Sequence, residues 1–227
     1  MQIDEPDFDQ LLQPDFKSSL SALNIESPAF LLMRHSKRFP IPPGSRGKDI
    51  QLTEEGENMA FAFGKLYGHL LNHCYSSPVD RCVTTGNLIL KGAQVNSTTQ
   101  IMDLLGEPGA FIYDEELARP WLLDMNPVDM INHQLAGTSI PGVHRIEYGV
   151  SLFMNRIKQL PASPGKMDMF ITHDSVMTCI IFHLIGCQAT PENWPWELEG
   201  AIIQLKPGHQ TINWRGRNHP IPERFLQ

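Results

Sequence analysis

Two short apolar runs in this chain end in the same way. Ala29–Met33 is followed at once by Arg34-His35-Ser36-Lys37-Arg38, and Met167–Ile171 by Thr172-His173-Asp174-Ser175. A short apolar run bounded by turn signals reads as a buried strand. A histidine at the carboxyl end of each strand constrains the chain more than any other feature, because open α/β sheets bind ligands at that end. Three cations and an imidazole within five residues suit an anion with several oxygens, such as phosphate.

The stretches between these runs alternate in character. Residues 39–51 hold Pro40, Pro42, Pro43, Gly44 and Gly47, so they form an irregular loop, predicted to be one lip of a site. Thr53 is a good N-cap, and Glu54 and Glu55 suit the positive end of a helix. Met59, Phe63, Leu66 and Leu70 then mark its core face. His69 and His73 lie four apart, a spacing that can bind metal, but no third ligand is near and a solvated helix end is the expected role. A strand is predicted to end near Ser76. Ser77 then reads as an N-cap, Pro78 as the first helical residue and Asp80 as the third. That puts Arg81 in a first turn whose dipole is already positive. Either a bound anion stabilises it there, or it is an exposed arginine paired with a carboxylate. The helix is expected to run to Gly92 as its cap.

A third strand falls within 98–105. Residues 106–142 carry Gly106, Pro108, Gly109, Pro120, Pro127, Gly137, Pro141 and Gly142. They read as an insertion that covers the site and selects the substrate, with Trp121, Asp124 and His133 among its side chains. A helix with Val143, Ile146, Val150, Phe153, Ile157 and Leu160 on one face follows. Another begins at Asp174 or Ser175 and ends at Gly186. Ala201–Leu205 reads as the final strand, before a polar, basic tail. Residues 1–28 form either a short helix (Leu11, Leu12, Phe16, Leu20) or a loosely attached arm. The expected fold is α/β: a single domain over 1–227, with a mostly parallel sheet, helices on both faces in three layers, and the 106–142 insertion over the active site.

A formal charge of -7 argues against a nucleic-acid partner or an acidic membrane surface. No apolar run is long enough to span a membrane, and the acidic start, Met1–Asp7, is no secretory signal. Cys74, Cys82, Cys179 and Cys187 lack a CxxC spacing and read as reduced thiols, which suggests a cytoplasmic protein. No metal or cofactor is expected, and the oligomeric state is not legible.

Four motifs now stand in order: Arg34-His35-x-x-Arg38, Leu52-Thr53-x-x-Gly56, Ser76-Ser77-Pro78-x-x-Arg81 and His173-Asp174. Together they resemble the histidine phosphatase superfamily, which includes acid phosphatases, phytases and cofactor-dependent phosphoglycerate mutases. The resemblance spans roughly residues 29–186. It implies that His35 is the nucleophile and that Arg34, Arg38, Arg81 and His173 hold the phosphate. Asp174 matches the proton donor of the acid-phosphatase branch. The mutase branch draws a glutamate from the segment after the third strand, where Glu107 stands, with Glu115 and Glu116 less well placed. Asp174 is preferred. The family usually has glycine where Ser36 stands, which bears on activity if that position needs a positive φ. The implied function is metal-independent hydrolysis of a small soluble phosphomonoester through a phosphohistidine on His35. A mutase-like phosphotransferase and a non-catalytic phosphate-binding or regulatory member are the alternatives.

Overall fold

The computed structural model describes residues 12–23, 27–106, 108–161, 165–206 and 208–226. Leu11 and Glu107 therefore lie outside the described residues. The strands are β1 (Ala29–Arg34), β2 (Leu71–Ser76), β3 (Gln100–Ile101), β4 (Met167–Thr172), β5 (Gly200–Lys206), β6 (His209–Trp214) and β7 (Arg217–Pro220). The helices are α1 (Pro14–Ser21), α2 (Glu54–Tyr67), α3 (Asp80–Gly92), α4 (Glu115–Asp124), α5 (Pro127–Leu135), α6 (Ile146–Lys158) and α7 (Asp174–Ile185). One sheet runs β3-β2-β4-β1-β5-β6-β7. Its first four strands are parallel, and β5, β6 and β7 extend it antiparallel.

Strands β1 and β4 are buried along their whole length, which is why they read as continuous apolar runs rather than alternating ones. Their side chains still alternate between two cores. Leu31, Met33, Met169 and Ile171 pack with α1, α2 and α3. Phe30, Leu32 and Phe170 pack with α6 and α7 on the other face. A third, small cluster of Ile112, Ala118, Met130, Ile140 and Val143 holds the α4–α5 segment together.

This topology opens a crevice at one place. β1 leaves the sheet toward α2 on one face, while its parallel neighbour β4 leaves toward α7 on the opposite face. The two chain exits diverge, so their carboxyl ends border a hollow. Residues His35 and His173, each next after its strand, stand at that point.

Several sequence expectations are corrected. The tail after β5 is two further strands, because Trp214-Arg215-Gly216-Arg217 makes a tight hairpin with positive φ at Arg215 and Gly216. Residues 106–142 contain two helices: Asp114 and Asn126 cap α4 and α5, Pro127 takes a first helical position, and α4 continues through Pro120. Helix α3 starts at Asp80 with Val79 as N-cap, two residues later than predicted. Ser77 precedes it, and its oxygen accepts from the Val79 N–H at 3.3 Å and meets His173 at 2.9 Å. Gly92 is the last helical residue rather than a left-handed cap. A Cβ there would collide with the Phe61 carbonyl, so it permits α2 and α3 to pack closely. Leu66 is exposed and Tyr67 takes the buried position. His69 and His73 share no helix. His69 sits in a short 3-10 turn, and His73 lies in β2, bonded to the buried Asp168 at 3.1 Å.

Candidate active site

The site is assembled from backbone outward. The His35 N–H donates to the Thr172 carbonyl (2.9 Å) and the Ser77 N–H to the Ile171 carbonyl (2.9 Å). The ends of β1, β2 and β4 are thus laced together before any side chain is considered. The Leu52-Thr53-x-x-Gly56 motif acts at the same level. Thr53 caps α2 through the Gly56 N–H (3.0 Å), and the Thr53 N–H donates to the Lys37 carbonyl (3.0 Å). A Cβ on Gly56 would strike that carbonyl oxygen. Glycine lets the helix start press against the loop that carries His35 and Arg38.

His35 is buried, and its tautomer follows from its partners. Nδ1 lies 2.7 Å from the Ser36 carbonyl oxygen, which can only accept. Nδ1 therefore carries the proton, and Nε2 is left with a lone pair. The Arg81 Nε–H points at that lone pair at 3.1 Å. His173 resolves in the same way. Arg81 Nη2 donates to its Nδ1 at 3.1 Å, so its Nε2–H donates to Ser77 Oγ at 2.9 Å. The two rings lie 5.6 Å apart, edge to face. Arg81 Nη1 donates to the Gly47 carbonyl at 2.6 Å. Gly47 has φ +64, a backbone state that suits glycine, and it aims that carbonyl from the proline-rich loop.

Arg81 is 6% exposed, so the exposed-arginine reading is wrong. It bridges both histidines and the loop. Lys37 turns outward to Glu55 and contributes no charge to the hollow. Arg38 faces the hollow and donates to the Phe39 carbonyl at 2.9 Å. Arg34 behaves differently from its neighbours. Its guanidinium donates to the Pro195 carbonyl (2.6 Å) and pairs with Asp174 (3.1 Å) and Glu197 (3.6 Å), and it does not line the hollow. Its Nε–H is buried without a partner among the described residues.

The electrostatics follow from burial and crowding. Burial foremost, then the charge of neighbouring groups including Arg81 and Arg34, holds His35 well below the usual imidazole range. Burial and Arg81 push His173 down to about 3. Both rings are neutral at any ordinary pH. Burial pushes the Asp174 carboxyl up, but the charge of Arg34 and the hydrogen bonds of the Trp194 side chain and the Ser175 N–H outweigh it and hold it below the carboxylate range. Asp174 is thus ionised at rest. Arg38 is lowered by burial and by its like-charged neighbours Arg81 and Arg34. Three guanidinium groups close enough to repel are stabilised by an anion.

Ser36 departs from the expected glycine without strain. Its φ is not positive. Its hydroxyl donates to the Gly56 carbonyl at 2.6 Å and its N–H to Thr85 Oγ1 at 3.1 Å. The hydroxyl is therefore turned away from any ligand.

The hollow has a volume of about 600 Å³. Ile41, Ser45, Arg46 and Lys48 line it from the proline-rich loop, and Leu122, Asn126, Val128 and Met130 from the α4–α5 segment. Of the acids in that segment, Glu115 is paired with Lys48 (2.7 Å) and Arg46 (3.1 Å), which lowers its pKa. Glu116 is exposed beside Arg119. Neither lines the hollow, whereas Asp174 does. The sequence reading missed two contributors. Ser77 reads as a cap, and residues 187–199 carry no motif, although Pro191 and Trp194 line the hollow and Pro195 and Glu197 hold Arg34. The dense Pro191–Trp196 run was the available signal. Among the described residues no cluster of three or more His, Cys, Asp or Glu could hold a metal, and no helix is long and apolar enough to cross a membrane.

An α/β sheet with two neutral histidines and buried guanidinium groups at its strand ends has the charge and shape that fit an anion such as phosphate. The chain belongs to the histidine phosphatase superfamily (branch 1), which it matches over residues 30–218. Among curated proteins none matches it in sequence. Solved structures share its fold at low identity. A phosphoserine phosphatase mutant from Entamoeba histolytica, in complex with phosphoserine, is 16% identical, with TM-score 0.58 and coverage of 88% of this chain and 100% of that one. A phosphoserine phosphatase from the same organism, in complex with 3-phosphoglyceric acid, is 14% identical, with TM-score 0.52 over 88% of this chain and 100% of that one. A mycobacterial glucosyl-3-phosphoglycerate phosphatase with inorganic phosphate is 14% identical, with TM-score 0.53 over 78% and 90%.

Proposed function

We propose that this protein is a phosphatase that hydrolyses a small soluble phosphomonoester through a phosphohistidine on His35, without a metal. One observation carries the reading: the proton on Nδ1 leaves His35 Nε2 with the lone pair a nucleophile needs, and the Arg81 Nε–H that occupies it at 3.1 Å would turn to the oxygens of a phosphoryl group brought to that nitrogen. The phosphoryl oxygens bind Arg81 and Arg38. Arg34, paired with Asp174 and held by the Pro195 carbonyl, adds its charge from behind, and His173 lines the hollow beside His35. Phosphoryl transfer needs chiefly positioning and charge stabilisation, and permanently charged guanidinium groups supply both. The ester P–O bond breaks as the Nε2–P bond forms, an acid protonates the leaving alkoxide, and water then releases phosphate from His35. The related structures bind phosphate, phosphoserine and 3-phosphoglyceric acid, in keeping with a small phosphorylated substrate. The free thiols fit a cytoplasmic setting.

His35→Ala should abolish phosphate release from p-nitrophenyl phosphate. Wild-type protein quenched in alkali, where a phosphohistidine survives, should carry one phosphoryl group by intact mass, and the variant should carry none. Turnover by the variant at the wild-type rate would remove His35 from the role.

We assign the proton donor to Asp174, with Glu107 as the competing carboxyl. Asp174 is ionised at rest, and a bound phosphate dianion beside it raises its proton affinity. An alkyl ester needs the proton, whereas p-nitrophenolate leaves without it. Asp174→Asn should therefore lower kcat on an alkyl phosphate by roughly 10²-fold or more while affecting p-nitrophenyl phosphate far less. The same pattern in Glu107→Gln, with Asp174→Asn neutral, would transfer the role to Glu107.

A further inference from the structure

The hollow is larger than a phosphate group needs, and its lining divides in chemistry. A volume of about 600 Å³ is that of a site enclosing a whole ligand. The strand ends and the turns after them supply imidazoles, guanidinium groups and the Asp174 carboxylate. The α4–α5 segment supplies Leu122, Pro127, Val128 and Met130, and the loop after α7 supplies Pro191 and Trp194. Asn126 stands among these, with its side-chain oxygen held by the Val128 N–H at 2.9 Å.

The two apolar stretches are fastened into one wall. Asn132 of α5 gives its side-chain N–H to the Ala189 carbonyl (2.9 Å) and accepts the Ala189 N–H (2.8 Å). Leu122 and Val128 are only half-buried. Leu122 and Met130 also border a cavity of about 20 Å³ on their far side, shared with Phe111, Ile131 and Val176. Hydrocarbon therefore backs the wall, and its front is left facing water. Apolar surface in that position forfeits burial that an apolar ligand would supply.

The wall also meets the reacting end of the site. The Trp194 side chain donates to the Asp174 carboxylate, the group assigned above to protonate the leaving oxygen. An ester whose bridging oxygen sits at Asp174 places its alcohol beside that indole. We propose that the wall of Leu122, Val128, Met130 and Trp194 seats the alcohol part of the substrate, so that the preferred phosphomonoester carries a bulky apolar group, an aromatic ring or a comparable hydrocarbon chain. The inference deepens the phosphatase reading and rests on it for the phosphoryl end, but its binding is tested without turnover.

The test is titration calorimetry of His35→Ala protein with ethyl, hexyl and phenyl phosphate, which share the phosphoryl group and differ in apolar size. Hexyl or phenyl phosphate should bind about tenfold more tightly than ethyl phosphate, the gain expected from burying several methylene groups or stacking one ring. Which of the two shows the gain tells chain from ring. Adding Leu122→Asn and Val128→Thr should bring the ratio toward one. Val128→Thr alone, a change of one methyl to hydroxyl at a half-buried position, should lower it part of the way. Equal affinities for all three esters, or a preference that survives these substitutions, would overturn the wall as a substrate site and leave the phosphatase reading standing. Selective binding together with no phosphate release by wild-type protein from any of the three esters or from p-nitrophenyl phosphate would do the reverse.

Discussion

His173 stands at the point where one proton position decides what the site can do. Arg81 has only N–H groups to offer, so the His173 Nδ1 that faces it must be an acceptor. Its Nε2–H then needs an acceptor of its own, and Ser77 Oγ supplies one at 2.9 Å. Ser77 thereby fixes ring and tautomer together. Ser77→Ala should lower kcat about tenfold, the effect of losing one buried hydrogen bond in the reacting state. KM should change little. Steady-state kinetics give the answer directly, and an unchanged kcat would mean that the serine does not orient the ring. The arginines divide in the same residue-by-residue way. Arg81 is held among the histidines, while Arg34 holds the 191–199 segment and keeps Asp174 ionised.

At the scale of elements, the β6–β7 hairpin does more than lengthen the sheet. Its turn residue Arg215 reaches Glu199 with two bonds (2.7 and 2.9 Å) and the carbonyls of Trp194 (3.0 Å) and Glu192 (3.1 Å). Glu199 is fully buried. Its backbone carbonyl accepts the Arg34 N–H at 3.0 Å. A hairpin at one side of the sheet thus shapes the loop that grips Arg34. Arg215→Ala leaves a buried carboxylate without its cation, which typically costs roughly 3–5 kcal/mol. The fall should be visible in the denaturant midpoint of unfolding. A midpoint within experimental error of wild type would show that the loop holds its shape without the clamp.

For the whole molecule, the buried site ties stability to pH. His35 and His173 are neutral in the folded chain, with His173 lowered to about 3. When unfolded, each titrates at about 6.5. As pH falls below 6.5, the unfolded chain binds protons that the folded chain refuses, so stability is full above 6.5 and declines toward pH 3. Each histidine contributes a slope of about 1.4 kcal/mol per pH unit within that window. Asp174, also lowered, adds to the same trend at the acid end. Melting temperature followed from pH 8 to pH 4 should be level at first and then fall. A Tm unchanged down to pH 4 would contradict the neutral, buried pair.

The amino-acid order alone determined the parallel strands, the caps at Thr53 and Gly186 and the cluster of motif residues, because each of these is a local matter of apolar runs, turn residues and helix ends. His35, Arg81 and His173 could be singled out because a cation or imidazole directly after a buried strand, or in a first helical turn, is locally unfavourable unless something nonlocal stabilises it. Only the tertiary structure decided the rest. It turned Lys37 out to Glu55 and Arg34 toward Asp174, gave Ser77 to His173 rather than to a helix end, and made Arg215 a clamp on a distant loop. Those choices depend on which polar groups meet after the strands have paired, and side-chain contacts between residues 16, 18 or 96 positions apart leave no period in the sequence to read.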